Sequence, residues 1–448
     1  MVSAAEQLAS NFNLGAFAKA EELKKRLLFT LGALVIYRFG AYIPIPGIDP
    51  IAIRDLFQTQ AGGVLGVFDV FAGGALGRMT IFALNIIPYI SASIIMQLLA
   101  AVNPKLEALK KEGEAGRRKL NQYARYGTVV LAAFQALGIA VGLETLSASS
   151  GASAVLEPGY GFRFTTVVTL TGGTIFLMWL GEQITQRGVG NGISLIIFAG
   201  IVANLPLAIV STLELGRTGV MSSGFILFLF AMSIAVITGI VFVERAQRRL
   251  VVQFPKRQVG NQVRQGQAIH LPFKINPAGV IPPIFASSLL LMPLTVAGFA
   301  QESGSPWLLW IANNVSHGRP LFMVLFAVLI AFFAYFYTSL VVSPKDTADN
   351  LRQQGGFIPG IRPGPQTEAY ISYVLNRLLA VGSLYLVIVC LLPELLISRY
   401  AVPFYFGGTS LLIVVTVTLD TVSQIQSHLL AHQYEGLVRR ARLRGARR

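Results

Sequence analysis

The chain has 448 residues, of which 54% are hydrophobic and only 13% charged, and it carries a net charge of +15. Soluble domains hold about 25% charged residues, so this sequence lacks the polar groups to cover a water-facing surface. A membrane β-barrel is excluded as well. Its segments of about ten residues would alternate strictly, and runs such as Phe225-Ile-Leu-Phe-Leu-Phe-Ala-Met do not.

Spanning the hydrocarbon core as a helix takes about 20 apolar residues. In chain order, Lys24-Lys25-Arg26 lead into a first such window at 27–43, which runs past the apolar core of a cleavable signal peptide and is expected to remain. Further windows at 79–104, 126–143, 164–181, 191–213, 218–243, 275–301, 320–344, 370–393 and 400–419 bring the expected number of spans to ten. With the N-terminus on the cytoplasmic side, 28 of the 36 Lys and Arg fall in cytoplasmic segments and 6 in the opposite loops. That asymmetry fits both termini being cytoplasmic. The basic excess therefore needs no nucleic-acid explanation, while a face this basic suits an acidic or RNA-rich partner.

No segment carries the pattern of a catalytic site, and the chain is read as a non-enzyme needing no cofactor. The lone Cys390 lies in an apolar run and allows no disulfide framework. His428 and His432 have the spacing of a metal pair but no third ligand nearby. Gly113-Glu-Ala-Gly-Arg-Arg-Lys lacks the spacing and the hydroxyl of a phosphate loop. Gly188-Val-Gly-Asn-Gly follows no strand, and its glycines suit a tight turn between antiparallel helices.

The span interiors are almost wholly neutral, with Arg38, Arg377 and Asp420 near span ends. Ion-coupled carriers keep ionisable groups deep in the bilayer, so the pattern points to a passive conduit. Two spans are interrupted in matching positions, the second by Asn85 and Pro88, the seventh by Asn276, Pro277, Pro282 and Pro283. Such breaks suit an inverted repeat of spans 1–5 against 6–10 with a pathway at its interface, and they also suit ordinary packing kinks. Before the second span lies an apolar, glycine-rich segment, 62–77, too short to cross. A re-entrant plug and an interfacial loop both fit it.

The cytoplasmic loops carry the remaining chemistry. Residues 248–254 and 269–275 read as two strands of a hairpin surrounded by Arg245, Arg248, Arg249, Lys256, Arg257 and Arg264. Between spans 8 and 9, Pro-Gly pairs at 359–360 and 363–364 mark successive turns that present Arg362 at a stiff tip. A guanidinium held this way suits carboxylate or phosphate.

Four stretches, Phe357-Ile-Pro-Gly-Ile-Arg-Pro-Gly, Pro88-Tyr-Ile-Ser-Ala-Ser-Ile-Ile, Gly188-Val-Gly-Asn-Gly-Ile-Ser and Pro403-Phe-Tyr-Phe-Gly-Gly-Thr-Ser, resemble the motifs of the bacterial SecY family, in that family's order, within a match running from about Glu21 to Glu435. The resemblance implies the central, protein-conducting subunit of the Sec translocon in the bacterial inner membrane. The implied fold is an all-α integral membrane protein of ten transmembrane helices in two inverted five-helix halves, with a re-entrant plug and a small cytoplasmic β-hairpin. Its parts would be a cytoplasmic N-terminus (1–26), a first half (27–213), an external hinge loop (214–217), a second half (218–427) with cytoplasmic loops 244–275 and 343–368, and a basic tail (428–448). The implied partners are SecE and SecG, the motor ATPase SecA, the ribosome with its RNA, signal peptides and preproteins, and membrane lipids.

Carried over by motif, the pore ring would comprise Ile86, Ile90, Ile193, Ile197, Ile284 and Ile413. Residues about 65–77, with Phe68 and Phe71, would form the plug, and Ser91 and Gln97 would be polar members of a lateral gate between spans 2 and 7. Arg362, helped by Arg248, Arg249, Lys256 and Arg257, would dock SecA and the ribosome.

Overall fold

The computed structural model of the chain describes residues 20–53, 69, 72–145, 154–219, 221–254, 257–259, 262–264, 268–299, 310, 314–315, 319–400 and 408–445, without side chains at 145, 257–259, 262–264, 291–299, 394, 396–400 and 432–445. Twelve helices are described: α1 (Glu21–Gly40), α2 (Ile87–Val102), α3 (Pro104–Lys111), α4 (Glu114–Thr145), α5 (Tyr160–Arg187), α6 (Gly192–Arg217), α7 (Ser223–Arg245), α8 (Ile281–Phe299), α9 (Pro320–Val341), α10 (Pro344–Gln353), α11 (Pro365–Tyr400) and α12 (Gly408–Gly445). Four strands interrupt them: β1 (Gln247–Gln253), β2 (Arg257–Val259), β3 (Gln262–Arg264) and β4 (Ala268–Lys274). The chain is thus a multi-pass, all-helical membrane protein with a small β-hairpin. By length and composition, seven helices among the described residues can cross a bilayer, or eight if α2 and its bent continuation α3 count as one span. Each of the ten windows picked from the sequence overlaps a described helix, but two of those helices are not among the seven or eight: α1, which opens on charged residues and carries Arg38 in its last turn, and α8, a shorter apolar helix over Ile281–Leu290.

Local sequence explains the helix boundaries. Ser222 and Ser343 cap α7 and α10 by accepting the backbone N–H of Phe225 and Asp346. Asn103 is extended, accepts the Lys105 N–H, and hands over to Pro104 at the first position of α3. There the chain turns by 101°.

The prolines act differently from a kink. Residues 79–86 are turns apart from a bridge of Thr80 to Pro44, and α2 begins only at Ile87, so Pro88 sits in its first turn. Likewise 275–280 are bends and turns, and Pro282 and Pro283 open α8. At these positions the missing proline N–H would have had no helical acceptor. The breaks foreseen within spans 2 and 7 are therefore irregular lead-ins placed before the helices.

The chain divides into two compact units, one of Met1–Val210, Leu291–Asn313 and Val417–Arg448, the other of Ser211–Leu290 and Asn314–Thr416. In the first, α4 packs on α2 and α5, and α1 on α5. The rings of Tyr37, Phe82, Phe176 and Trp179 follow one another at 6.1, 5.9 and 5.8 Å, joining α1, the α2 lead-in and α5. Arg125 on α4 makes a two-pronged pair with Glu182 on α5, at 2.9 and 2.7 Å. In the second unit α9 packs along α11, and Phe285 of α8 meets Phe333 of α9 edge-on at 5.7 Å. β1 and β4 pair antiparallel from Gln247 opposite Lys274 to Gln253 opposite Ala268, one residue earlier than the sequence pattern suggested.

Candidate functional site

The first unit holds the α2 lead-in. Two non-glycine residues there, Met79 and Asn85, adopt positive φ of 43° and 49°, a costly backbone region for side chains. The turn is sewn to the segment after α1 by backbone bonds from Ile45 to Met79 (2.9 Å) and from Ile81 to Ile43 (3.0 Å). Gly173 of α5 meets the Ile81 carbonyl so closely that no methyl group fits between them. At the end of this lead-in Ile86 caps α2, its carbonyl accepting the Ile90 N–H at 3.1 Å. Both side chains are buried. On α6, Ile197 is buried and Ile193 half-buried. Ser91 is buried and its hydroxyl makes no hydrogen bond among the described residues. Gln97 is half-buried and donates to Ser93 at 3.3 Å. Six residues apart, Ser91 and Gln97 lie about 240° around the helix and do not share a face.

Three backbone donors of the glycine loop before α6 are taken by side chains of the first unit. The N–H groups of Val189, Gly190 and Gly192 donate to Thr30 Oγ1 (3.1 Å), Gln424 Oε1 (2.8 Å) and Thr185 Oγ1 (2.9 Å). Asn191 accepts from Ile193 at 3.1 Å. These amides bind the chain itself and present no phosphate cradle.

The second unit repeats several of these contacts with other residues. Its lead-in, 275–280, passes Gly382 of α11, where an added methyl carbon would lie 2.9 Å from the Ile275 carbonyl oxygen. The first residue of α12, Gly408, abuts the backbone of α11 at Val389, as the first residue of α6, Gly192, abuts that of α5 at Gly181. The ring candidates here are Ile284, half-buried just after the prolines of α8, and Ile413, fully buried on α12. Four ring candidates thus lie in the first unit and two in the second. Phe68 and Phe71, the plug candidates, lie outside the described residues, as do Lys256 and the 403–407 part of the last motif.

The same unit gathers the hairpin and the 355–364 turns, which sequence reasoning treated as separate, into one body. Val252, Ala348, Ile358, Ile371 and Leu375 form a buried cluster drawn from β1, α10, the turn loop and α11. Gln253 and Phe357 exchange both backbone bonds, at 2.8 and 2.9 Å. Gly356 allows that approach, since a methyl carbon there would sit 3.0 Å from both Val252 and Phe254. The body presents Arg362 and, on β1, Arg248 and Arg249, all exposed. The Arg362 backbone is fixed by Thr367, whose hydroxyl donates to its carbonyl at 2.9 Å. In the β2–β3 register Arg257 stands opposite Arg264.

Among the described residues no group of three or more His, Cys, Asp or Glu side chains could hold a metal ion. The family model described as SecY matches residues 80–422. The Escherichia coli (strain K12) protein translocase subunit SecY is 53% identical over 425 residues, covering 95% of this chain and 96% of that protein. A solved structure described as that of a protein-conducting channel superposes with a TM-score of 0.64 at 18% identity, covering 91% of this chain and 92% of that one. The Sec61 chain of a canine ribosome-channel complex from the endoplasmic reticulum gives 0.62 at 18% identity, with the same coverage. At these identities the two structures establish the fold.

Proposed function

The chain belongs to the SecY family, and from that premise we propose that it is the protein-conducting channel of a Sec translocon, passing unfolded secretory proteins across the inner membrane and releasing apolar segments sideways into lipid. The observation that carries this is the 53% identity to a protein translocase subunit along 95% of the chain. A match of that length runs through the α2 start, the glycine loop and the 355–364 turns.

In this reading ten spans form two inverted five-helix halves, 27–213 and 218–427, with both termini cytoplasmic. The matched contacts support it. Gly173 and Gly192 meet the second-span lead-in and the fourth span, while Gly382 and Gly408 meet the seventh-span lead-in and the ninth. The ring of Ile86, Ile90, Ile193, Ile197, Ile284 and Ile413 resists ions and water by dewetting and yields to a passing chain. The 65–77 segment closes it from outside. A gate between α2 and α8, with Ser91 and Gln97 among its polar members, opens to lipid. Leucine-like residues then gain about 0.3–0.6 kcal/mol each in the bilayer, and a central Arg or Asp costs about 2.5–3.5 kcal/mol. Signal sequences leave sideways and polar segments go through.

SecE and SecG complete the membrane complex, and the driving force comes from SecA or the ribosome. Arg362, with Arg248, Arg249, Lys256 and Arg257, receives them. Exposed arginines on a shared, well-packed body suit carboxylate or phosphate recognition, which a polyanionic partner such as ribosomal RNA supplies. The test is reconstitution of the chain with SecE and SecG, adding SecA, ATP and a signal-bearing preprotein. ATP-dependent protection of the preprotein from protease is expected, and its absence beside an active control complex would overturn the proposal.

A further inference from the structure

The hairpin joins the membrane helices by an unusually direct route. β1 starts two residues after α7 ends, and β4 ends seven residues before α8 starts. The ladder does not stop at its last strand pair. Beyond Gln247 opposite Lys274, the Ile275 N–H donates to the Ala246 carbonyl at 3.1 Å. One step further, the amide of Asn276 donates to Glu244 Oε1 at 2.7 Å and to the Gly279 carbonyl at 3.0 Å. Both side chains are buried, Glu244 at 7% exposure and Asn276 at 2%. On the far side, α11 closes over Ile275 and Asn276 at Gly382.

A buried carboxylate is costly unless hydrogen-bonded, so this pair is an expensive way to hold a turn that backbone bonds alone could hold. Its placement gives it a use. Residues 277–280 are all turn, with Gly279 at φ 62°, and an unpinned turn there would absorb movement of the hairpin. Because Asn276 ties Glu244 at the end of α7 to the Gly279 carbonyl, the hairpin base and the lead-in form one continuous hydrogen-bonded path that ends two residues before α8. Coupling between distant sites needs such a connected element.

We propose that Glu244 and Asn276 are positioning residues that couple the hairpin to the N-terminal end of α8, so that engagement of a partner on the hairpin changes the state of α8. This rests on reading the hairpin body as the docking surface and α8 as a gate helix that binds signal sequences. Coupling of this kind is reciprocal. The affinity of SecA for the channel therefore rises when a signal peptide is bound, and the pin carries that rise.

The experiment measures SecA affinity for the full complex in liposomes, with and without a synthetic signal peptide with a leucine-rich core. Wild type is expected to show a peptide-induced gain of about fivefold or more, the lower end of measured couplings. Asn276→Ala should bring the gain close to one while leaving the peptide-free affinity unchanged. Glu244→Gln keeps an acceptor for the Asn276 amide and should retain the gain. Should Asn276→Ala fail to accumulate in the membrane, Glu244→Ala against Glu244→Gln makes the same comparison. An undiminished gain in Asn276→Ala or Glu244→Ala overturns the pin alone. A wild-type complex that binds SecA without any gain overturns the gate reading and the pin with it, and one that does not bind SecA overturns the docking reading.

Discussion

The lead-ins to α2 and α8 solve one problem by different means. Each is an irregular segment that delivers proline to the first turn of an apolar helix, one in α2 and two in α8, and each is met by a glycine on a neighbouring helix. The first accepts backbone strain at Met79 and Asn85 and is held by backbone bonds to residues 43 and 45. The second confines its one described positive φ to Gly279 and is held by a buried side-chain pair. The first is locked to the segment after α1, while the second is tied to the base of the β1–β4 hairpin. The difference between them is one of what each lead-in is fastened to.

Substitutions can break or sharpen that comparison, here by unfolding of the purified protein in detergent. The largest effects are expected where the pattern is shared. Gly192→Ala and Gly408→Ala each place a methyl group on a neighbouring backbone and should cost about 3 kcal/mol, with markedly unequal losses counting against matched halves. Next, Gly173→Ala should cost about 2 kcal/mol and Gly382→Ala about 1 kcal/mol, following the tighter approach at Gly173. The reverse order would show that the first lead-in shifts more readily than its backbone bonds imply. Smallest is Gly279→Ala, at about 1 kcal/mol or slightly less. Space around Gly279 is open, so only its left-handed backbone is charged for. No loss there would mean that the second lead-in relaxes to another turn.

Much of this was legible in the sequence, for reasons tied to period and composition. Long apolar windows bounded by charges located the helices, and alternation at 269, 271, 273 and 275 located a strand of the hairpin to within one residue. Asn and Pro clusters marked the lead-ins but not their form, because a proline reads alike as a kink or as a first turn. The joining of the hairpin to the 355–364 turns through Gln253 and Phe357 was not legible. Those residues are about a hundred positions apart, and a backbone bridge leaves no side-chain pattern. Glu244 read as the first charge of a cytoplasmic loop, and only its partner Asn276 reveals it as buried. An acid closing an apolar run, followed by a hairpin and then Asn-Pro, is the one signal that could have found it. The isoleucines were found by motif, since apolar residues in a span look alike by pattern.

The glycine loop before α6 has a consequence of another kind. A turn at a membrane rim ordinarily relies on water for its backbone donors, which restricts how deep it can lie. Here Thr30, Thr185, Asn191 and Gln424 supply that solvation from within. The connection carries its own hydration shell in protein form, so it tolerates a depth at which exposed amides would be prohibitive. Four side chains thereby extend the range of places where this chain can reverse direction.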